Sequence, residues 1–293
     1  MGILKKERAL LNRLMESSFS TGLKIGEYKY IWGLRNVWKK SVLSSKQKRS
    51  IQSNFMKYYG KPFSTRWHRL YQSYTGTFDK NYFPEILFST KLEPLLNQRS
   101  IATTLDDKNL LEPLYSNEKG LRIPKTIVGN SYGTYYENSG DVRKITDFKG
   151  ACDLVGNTPL VVIKPTTGTH SGNGIMICKF KNGIDQFSHG SVEDILRSYQ
   201  ENFIVQEYIK NCRELSALYK DALNTIRVIT YISDNKLYHL PLALRLGCAG
   251  NQVDNIGAGG LFIGISTEGY LKPYAYAEKG TKYKRHPDSK VFF

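Results

Sequence analysis

Little in this 293-residue chain speaks for zinc or disulfide chemistry. Its four cysteines, Cys152, Cys178, Cys212 and Cys248, form no CxxC pair and join no His/Cys cluster in the sequence. That argues against a zinc site or a disulfide framework and reads as free thiols in a reducing compartment. No apolar run approaches the roughly 18 residues of a membrane span. Internal repeats and low-complexity tracts are absent, which removes solenoids and disordered tails. The opening M-G-I-L-K-K-E-R sets Lys5, Lys6, Glu7 and Arg8 where a signal peptide would keep its apolar stretch. A cytoplasmic protein is expected, with the inner face of the membrane as an alternative location.

Acidic residues are scarce in one place. The whole chain has 42 Lys and Arg against 26 Asp and Glu, but residues 1–70 alone hold 16 against 3. Such a segment attracts polyanions, here an anionic membrane surface or an acidic glycan, while nucleic acid is not the expected partner. The alternative is a solvated helical face with no partner. Trp32, Trp38, Tyr58, Tyr59, Trp67 and Tyr71 lie among these charges. Aromatics in that setting suit base stacking, a membrane interface or a small packed core equally.

The apolar fraction of 40% is enough for a real core. Residues 3–16 and 34–59 read as helical, with apolar positions three and four apart, and Gly60-Lys61-Pro62 stops the second stretch. Residues 61–100 read as a loop-rich connector with short helices. Beyond them, strands are expected at 123–128, 160–164, 174–180, 203–208, 225–232, 236–246 and 261–266. Helices are expected at 108–115 and at 192–199, the second capped by Ser191. This is an α+β pattern, with regions at 1–100, 101–202 and 203–293.

The most informative stretch is V-V-I-K-P-T-T-G-T-H-S-G-N-G-I-M-I-C, residues 161–178. An apolar strand ends at Lys164, and a loop with Gly168, Gly172 and Gly174 follows. A strand-end ammonium beside glycines that let backbone N–H groups come close suits nucleotide phosphates. It is neither a Walker A loop nor a dinucleotide fingerprint, because the lysine precedes the glycines and a strand follows them. Taken alone it is also consistent with a glycine-rich hairpin. Residues 203–209, F-I-V-Q-E-Y-I, run a strand into a linker that can offer backbone groups to an adenine edge. Arg227 in N-T-I-R-V-I-T-Y and Arg245 in L-A-L-R-L-G sit on apolar strands, where a guanidinium needs a carboxylate or phosphate. Asp254 and Asn255 precede the glycines of V-D-N-I-G-A-G-G, and oxygen ligands there suit Mg²⁺.

In this order, with D-K-N and G-L-R-I-P-K-T upstream, the motifs resemble the ATP-grasp superfamily. Within it, the chain is similar to the sugar-transfer-associated ATP-grasp proteins encoded with bacterial exopolysaccharide and capsule machinery, over roughly residues 45–293. The resemblance implies two α+β subdomains gripping ATP, with Mg²⁺, behind an N-terminal helical extension. It implies that Lys108 and Lys164 contact phosphates and that residues 168–174 close over the β- and γ-phosphates. Gln206, Glu207, Tyr208 and Ile209 would form the adenine hinge, and Glu214 would meet the ribose. Arg227 and Arg245 would stabilise the γ-phosphate and an acyl phosphate, with Asp254 and Asn255 at the metal. His170, in the glycine loop, reads as an exposed polar residue more than as a base, and His286 as an end-of-chain residue.

The implied chemistry is carboxylate–amine ligation, attaching for instance an amino acid to a sugar or to a cell-surface glycan precursor. The family's late E-x-N metal motif is absent, and the chain is expected to be short of a final strand and helix. Two other functions stay open: a nucleotide-binding homologue without turnover, and a polyanion-binding module built on residues 1–70.

Overall fold

The computed structural model describes residues 2–139, 142–169 and 172–293, with side chains from residue 18 onward other than 99–100, 138–139 and 142. It divides into two compact units. One comprises Met1–Arg99, Thr230–Leu240 and Tyr276–Lys282, and the other Ser100–Ile229, Pro241–Ala275 and Tyr283–Phe293. Among the described residues no helix is long and apolar enough to cross a membrane.

The first unit is mainly helical, with helices at Gly2–Gly33, Arg35–Trp38, Ser45–Tyr59 and Arg66–Thr75. The single helix expected over 34–59 is broken. Trp38 folds back to donate its Nε1–H to the Ile31 carbonyl at 2.7 Å. Ser44 then restarts the helix through a reciprocal cap: its Oγ accepts from Gln47 N, and its own N–H donates to Gln47 Oε1. Gly60, at φ +73°, ends that helix in the left-handed conformation a side chain would resist. The expected loop-rich connector holds a ten-residue helix, Arg66–Thr75, because Trp67 and Leu70, three apart, both reach the core. That core joins Ile31, Trp38, Ile51, Phe55, Trp67 and Leu87. Arg69 donates to the Ser41 carbonyl at 2.7 Å, and its guanidinium lies 4.7 Å from the Trp38 ring. Part of the basic and aromatic content is therefore engaged in packing.

The second unit carries a six-stranded sheet, a five-stranded one and the short pair Phe180–Lys181 with Ile184–Asp185. The larger has six strands in the order Val142–Thr146, Thr134–Ser139, Thr126–Ser131, Phe203–Glu207, Val161–Pro165 and Met176–Cys178. Every neighbouring pair is antiparallel. The five-stranded sheet runs Lys282–Tyr283, Leu271–Tyr276, Leu261–Ile265, Ala243–Leu246, Thr225–Arg227, all but Tyr276 and Lys282 counted in this unit. Strand periodicity sorts the larger sheet's side chains. Val161, Ile163 and Val205 point to one face and are fully buried with Val155 and Leu196 of helices Phe148–Gly156 and Val192–Tyr199. Each such side chain stabilises the fold by about 1.5–3 kcal/mol. Val162, Lys164 and Gln206 are thereby left on the opposite face. The two helices open on Asp147, which accepts from Gly150 N, and on the expected Ser191, which accepts from Asp194 N.

Several strand expectations are corrected. The run 225–232 is two strands, Thr225–Arg227 and Thr230–Ser233, which belong to different units. Thr230–Ser233 pairs with Lys236–His239 across Asp234 and Asn235, both at positive φ, a two-residue turn of the primed kind. The run 236–246 is likewise split, with Pro241 between Lys236–His239 and Ala243–Leu246, since proline has no N–H for a ladder. The Thr126–Ser131 and Thr134–Ser139 hairpin turns on Tyr132 and Gly133, again both at positive φ. Phe203–Glu207, placed by sequence at the start of the third region, lies inside the larger sheet between Thr126–Ser131 and Val161–Pro165.

Candidate functional site

A cavity of about 520 Å³ opens in the second unit, lined by its six-stranded and five-stranded sheets. The larger sheet supplies Val162, Lys164, Ile177 and Gln206. These share a face because Val162 stands opposite both Ile177 and Gln206 in the ladders, and Lys164 lies two residues further along. The other sheet supplies Thr225, Arg227 and Arg245, which share a face through the pairs Arg245–Thr225 and Ala243–Arg227. Alternation thus places three cations from two sheets on one space.

Lys164 is half-buried and has no ion-pair partner among the described residues. Burial, and then the neighbouring Lys108 ammonium, push its pKa below the ordinary 10.5. Lys108 is fastened to the mouth of the glycine loop, its N–H and its Nζ both donating to the Thr166 carbonyl, at 3.1 and 3.0 Å. It does not itself line the cavity. Arg227 lines the cavity, is exposed, and has no ion-pair partner among the described residues.

Arg245 is held in a different way. Its Nη2 donates to Asp254 Oδ1 at 2.7 Å and its Nε to Oδ2 at 3.3 Å, while the Thr225 hydroxyl donates to the same Oδ2. Asp254 is buried, and its charge is spent on this fork. The glycines after it explain the geometry: a Cβ on Gly260 would stand 2.6 Å from the Asp254 carbonyl oxygen and 2.8 Å from that of Leu246. Only glycine lets residues 251–260 fold this closely onto the Ala243–Leu246 strand. Asn255 caps the short turn Ile256–Ala258, accepting from Gly257 N at 2.8 Å. A divalent ion at Asp254 and Asn255 would have to displace these bonds, so the donor set as arranged does not fit Mg²⁺.

The hinge residues behave as a strand running into a linker. The ladder ends at Glu207, whose N–H donates to the Lys125 carbonyl and whose Oε1 accepts from Lys125 N. Tyr208 and Ile209 follow along the cavity wall. Gln206 is buried, with its Nε2 donating to the Pro124 carbonyl at 3.2 Å and its Oε1 without a partner. In the glycine loop, Gly172 lines the cavity at φ +81° and packs on Val253, and Gly174 sits at φ +73° against Pro165. Gly168, at φ +69°, is exposed and lies away from the cavity lining. His170 lies outside the described residues. Glu214 stands exposed on helix Arg213–Leu218 and is not brought to the cavity.

Sequence reasoning gave no role to Thr225, which orders Asp254, or to Tyr199, whose hydroxyl donates to the Gly174 carbonyl at 2.7 Å and ties the loop to its strand. Thr225 lay within N-T-I-R and could have been found there; Tyr199 carried no signal. His286 is corrected from an end-of-chain residue to a fully buried one. Its Nε2 bonds the Gly247 carbonyl at 2.8 Å, and Asp288 N and Ser289 N donate to its Nδ1. Cys248, His286 and Asp288 do come together in space. Both histidine nitrogens are used, however, and Asp288 accepts from Ala249 N, so the group closes a corner of the fold and offers little to a metal.

Two sheets thus close on a lysine without an ion-pair partner among the described residues, two arginines and a glycine of the loop, an α+β arrangement suited to an anionic ligand. The chain belongs to the sugar-transfer associated ATP-grasp family, whose family model matches residues 87–293. Nothing among curated proteins or solved structures matches it.

Proposed function

We propose that the chain uses ATP to join a carboxylate to an amine. The observation that carries this is Lys164: an ammonium half-buried in the cavity, without an ion-pair partner among the described residues, and facing the same space as Arg227. A triphosphate supplies the missing negative charge. Gln206 to Ile209 then take the adenine edge along the cavity wall. Lys108, anchored on the Thr166 carbonyl, adds charge where the glycine loop begins.

In the first step a substrate carboxylate oxygen attacks the γ-phosphorus, the bond to the β,γ-bridging oxygen breaks, and ADP leaves with the electron pair. In the second, an amine attacks the acyl-phosphate carbonyl, inorganic phosphate departs, and the nitrogen loses a proton to give the amide. The chain's own contribution is charge and position: Arg227 is free to follow the transferred phosphoryl group, while Arg245 is preset by Asp254 and Thr225. ATP is the partner the family implies. The carboxylate and amine, an amino acid and a sugar or surface-glycan precursor, are our proposal, as is a place in exopolysaccharide or capsule assembly. In this proposal the six-stranded and five-stranded sheets are the two halves of the grip.

The test is to supply ATP and candidate carboxylates with hydroxylamine in place of the amine. Hydroxamate formation with matching ADP release is the expected result. A second reading, binding without turnover, is favoured by Asp254, whose oxygens are already bonded to Arg245 and Thr225. It predicts saturable ATP binding, with no ADP or hydroxamate from any carboxylate.

A further inference from the structure

Helix Ser45–Tyr59 carries Lys46, Lys48, Arg49 and Lys57 and no acidic residue. Cations near the start of a helix oppose its dipole, so these charges do not serve the helix itself. Beside its last turns the first unit holds a cavity of about 720 Å³, walled by Phe55, Tyr58, Tyr82, Phe83, Leu92 and Leu95. Its lip is open and apolar: Tyr58 is 73% exposed and Leu95 84%. Cations sit beside the same rings. Lys91 is part of the wall, Lys57 Nζ lies 4.8 Å from the Tyr58 ring and Lys61 Nζ 5.1 Å from the Tyr59 ring. An apolar cleft edged by tyrosines and lysines has the composition of a surface placed between hydrocarbon and anionic headgroups.

We propose that this cleft is a docking site for an anionic phospholipid bilayer surface, with an acyl chain entering between Phe83 and Leu95 and the phosphate meeting Lys57, Lys61 and Lys91. Charge complementarity selects this occupant: helix Ser45–Tyr59 holds four basic residues and no acidic one, and Lys57, Lys61 and Lys91 lie beside the apolar wall. Neither apolar insertion nor basic charge gives stable anchoring by itself, and here both signals coincide.

The test is sedimentation of the full chain with phosphatidylglycerol vesicles and with phosphatidylcholine vesicles. The wild type is expected to bind the first and not the second, and inorganic phosphate should displace it no more than chloride of equal ionic strength. Reversing Lys57, Lys61 and Lys91 to Glu should weaken binding by roughly a hundredfold or more, at about one kilocalorie-scale contact per basic residue. Leu92→Asp with Leu95→Asp, at positions 38% and 84% exposed, should weaken it at least tenfold while ATP binding stays unchanged. Equal binding to both vesicle types, displacement by phosphate alone, or undiminished binding by the Leu92→Asp, Leu95→Asp protein would each overturn the proposal. Self-association lost in those variants, without vesicle binding by the wild type, would overturn it in favour of a second copy of the chain.

Discussion

Replacing Lys164 with methionine should act in opposite directions on the fold and on the ligand. The side chain keeps its length, so packing against Val162 and Ile204 is largely retained. What disappears is an ammonium that burial and Lys108 already disfavour. The free protein should lose no stability, and should gain slightly as a partly desolvated charge is removed. In the complex the same ammonium makes charge-assisted bonds to phosphate, each worth about 1.5–3 kcal/mol, so ATP affinity should fall roughly tenfold to a hundredfold. Calorimetric titration with ATP, paired with urea unfolding of the free protein, reads both quantities. Affinity within threefold of wild type would refute the phosphate assignment. A loss of several kcal/mol in the free protein would show the lysine to be structural instead.

Other outcomes follow from the same geometry. Because the ammonium is the phosphate-binding form and its pKa lies below 10.5, ATP affinity should fall with rising pH earlier than for an ordinary lysine; titrations from pH 7 to 10 check this. For the free fold the sign is reversed. The unfolded chain holds that proton more tightly, so Lys164 makes stability rise with pH between its lowered pKa and 10.5. Gly260→Ala should cost about 1–3 kcal/mol in urea unfolding, since its Cβ would meet the Asp254 and Leu246 carbonyls. Asp254→Leu and Arg245→Met should each destabilise more than the pair together, because either alone strands a partly buried charge. Tyr199→Phe should cost about 0.5–1.5 kcal/mol through its bond to the Gly174 carbonyl, read by the same unfolding assay.

The cavity was legible in sequence wherever chemistry and strand periodicity coincide. Lys164 and Gln206 alternate with Ile163 and Val205, and both were expected at the site; the second sheet brings Arg227 and Arg245 to the same space in the same way. What the sequence concealed was fixed by tertiary contacts. The break at Trp38 depends on a carbonyl seven residues back, and the separation of Thr225–Arg227 from Thr230–Ser233 leaves no turn residue at Val228-Ile229 to announce it. Asp254 reads equally as a metal ligand or as an arginine partner, because a carboxylate serves both; its neighbours decide, and Thr225 and Arg245 lie 29 and 9 residues away. Pro241 was visible and is the one break that turn chemistry alone could have located.

The most direct measurement is affinity labelling with an acyl-phosphate derivative of ATP, which acylates lysines beside the bound phosphates, followed by peptide mass spectrometry. The account predicts ATP-protectable modification of Lys164 or Lys108. Protectable labelling confined to lysines of the first unit, with residues 108 and 164 untouched, would contradict it.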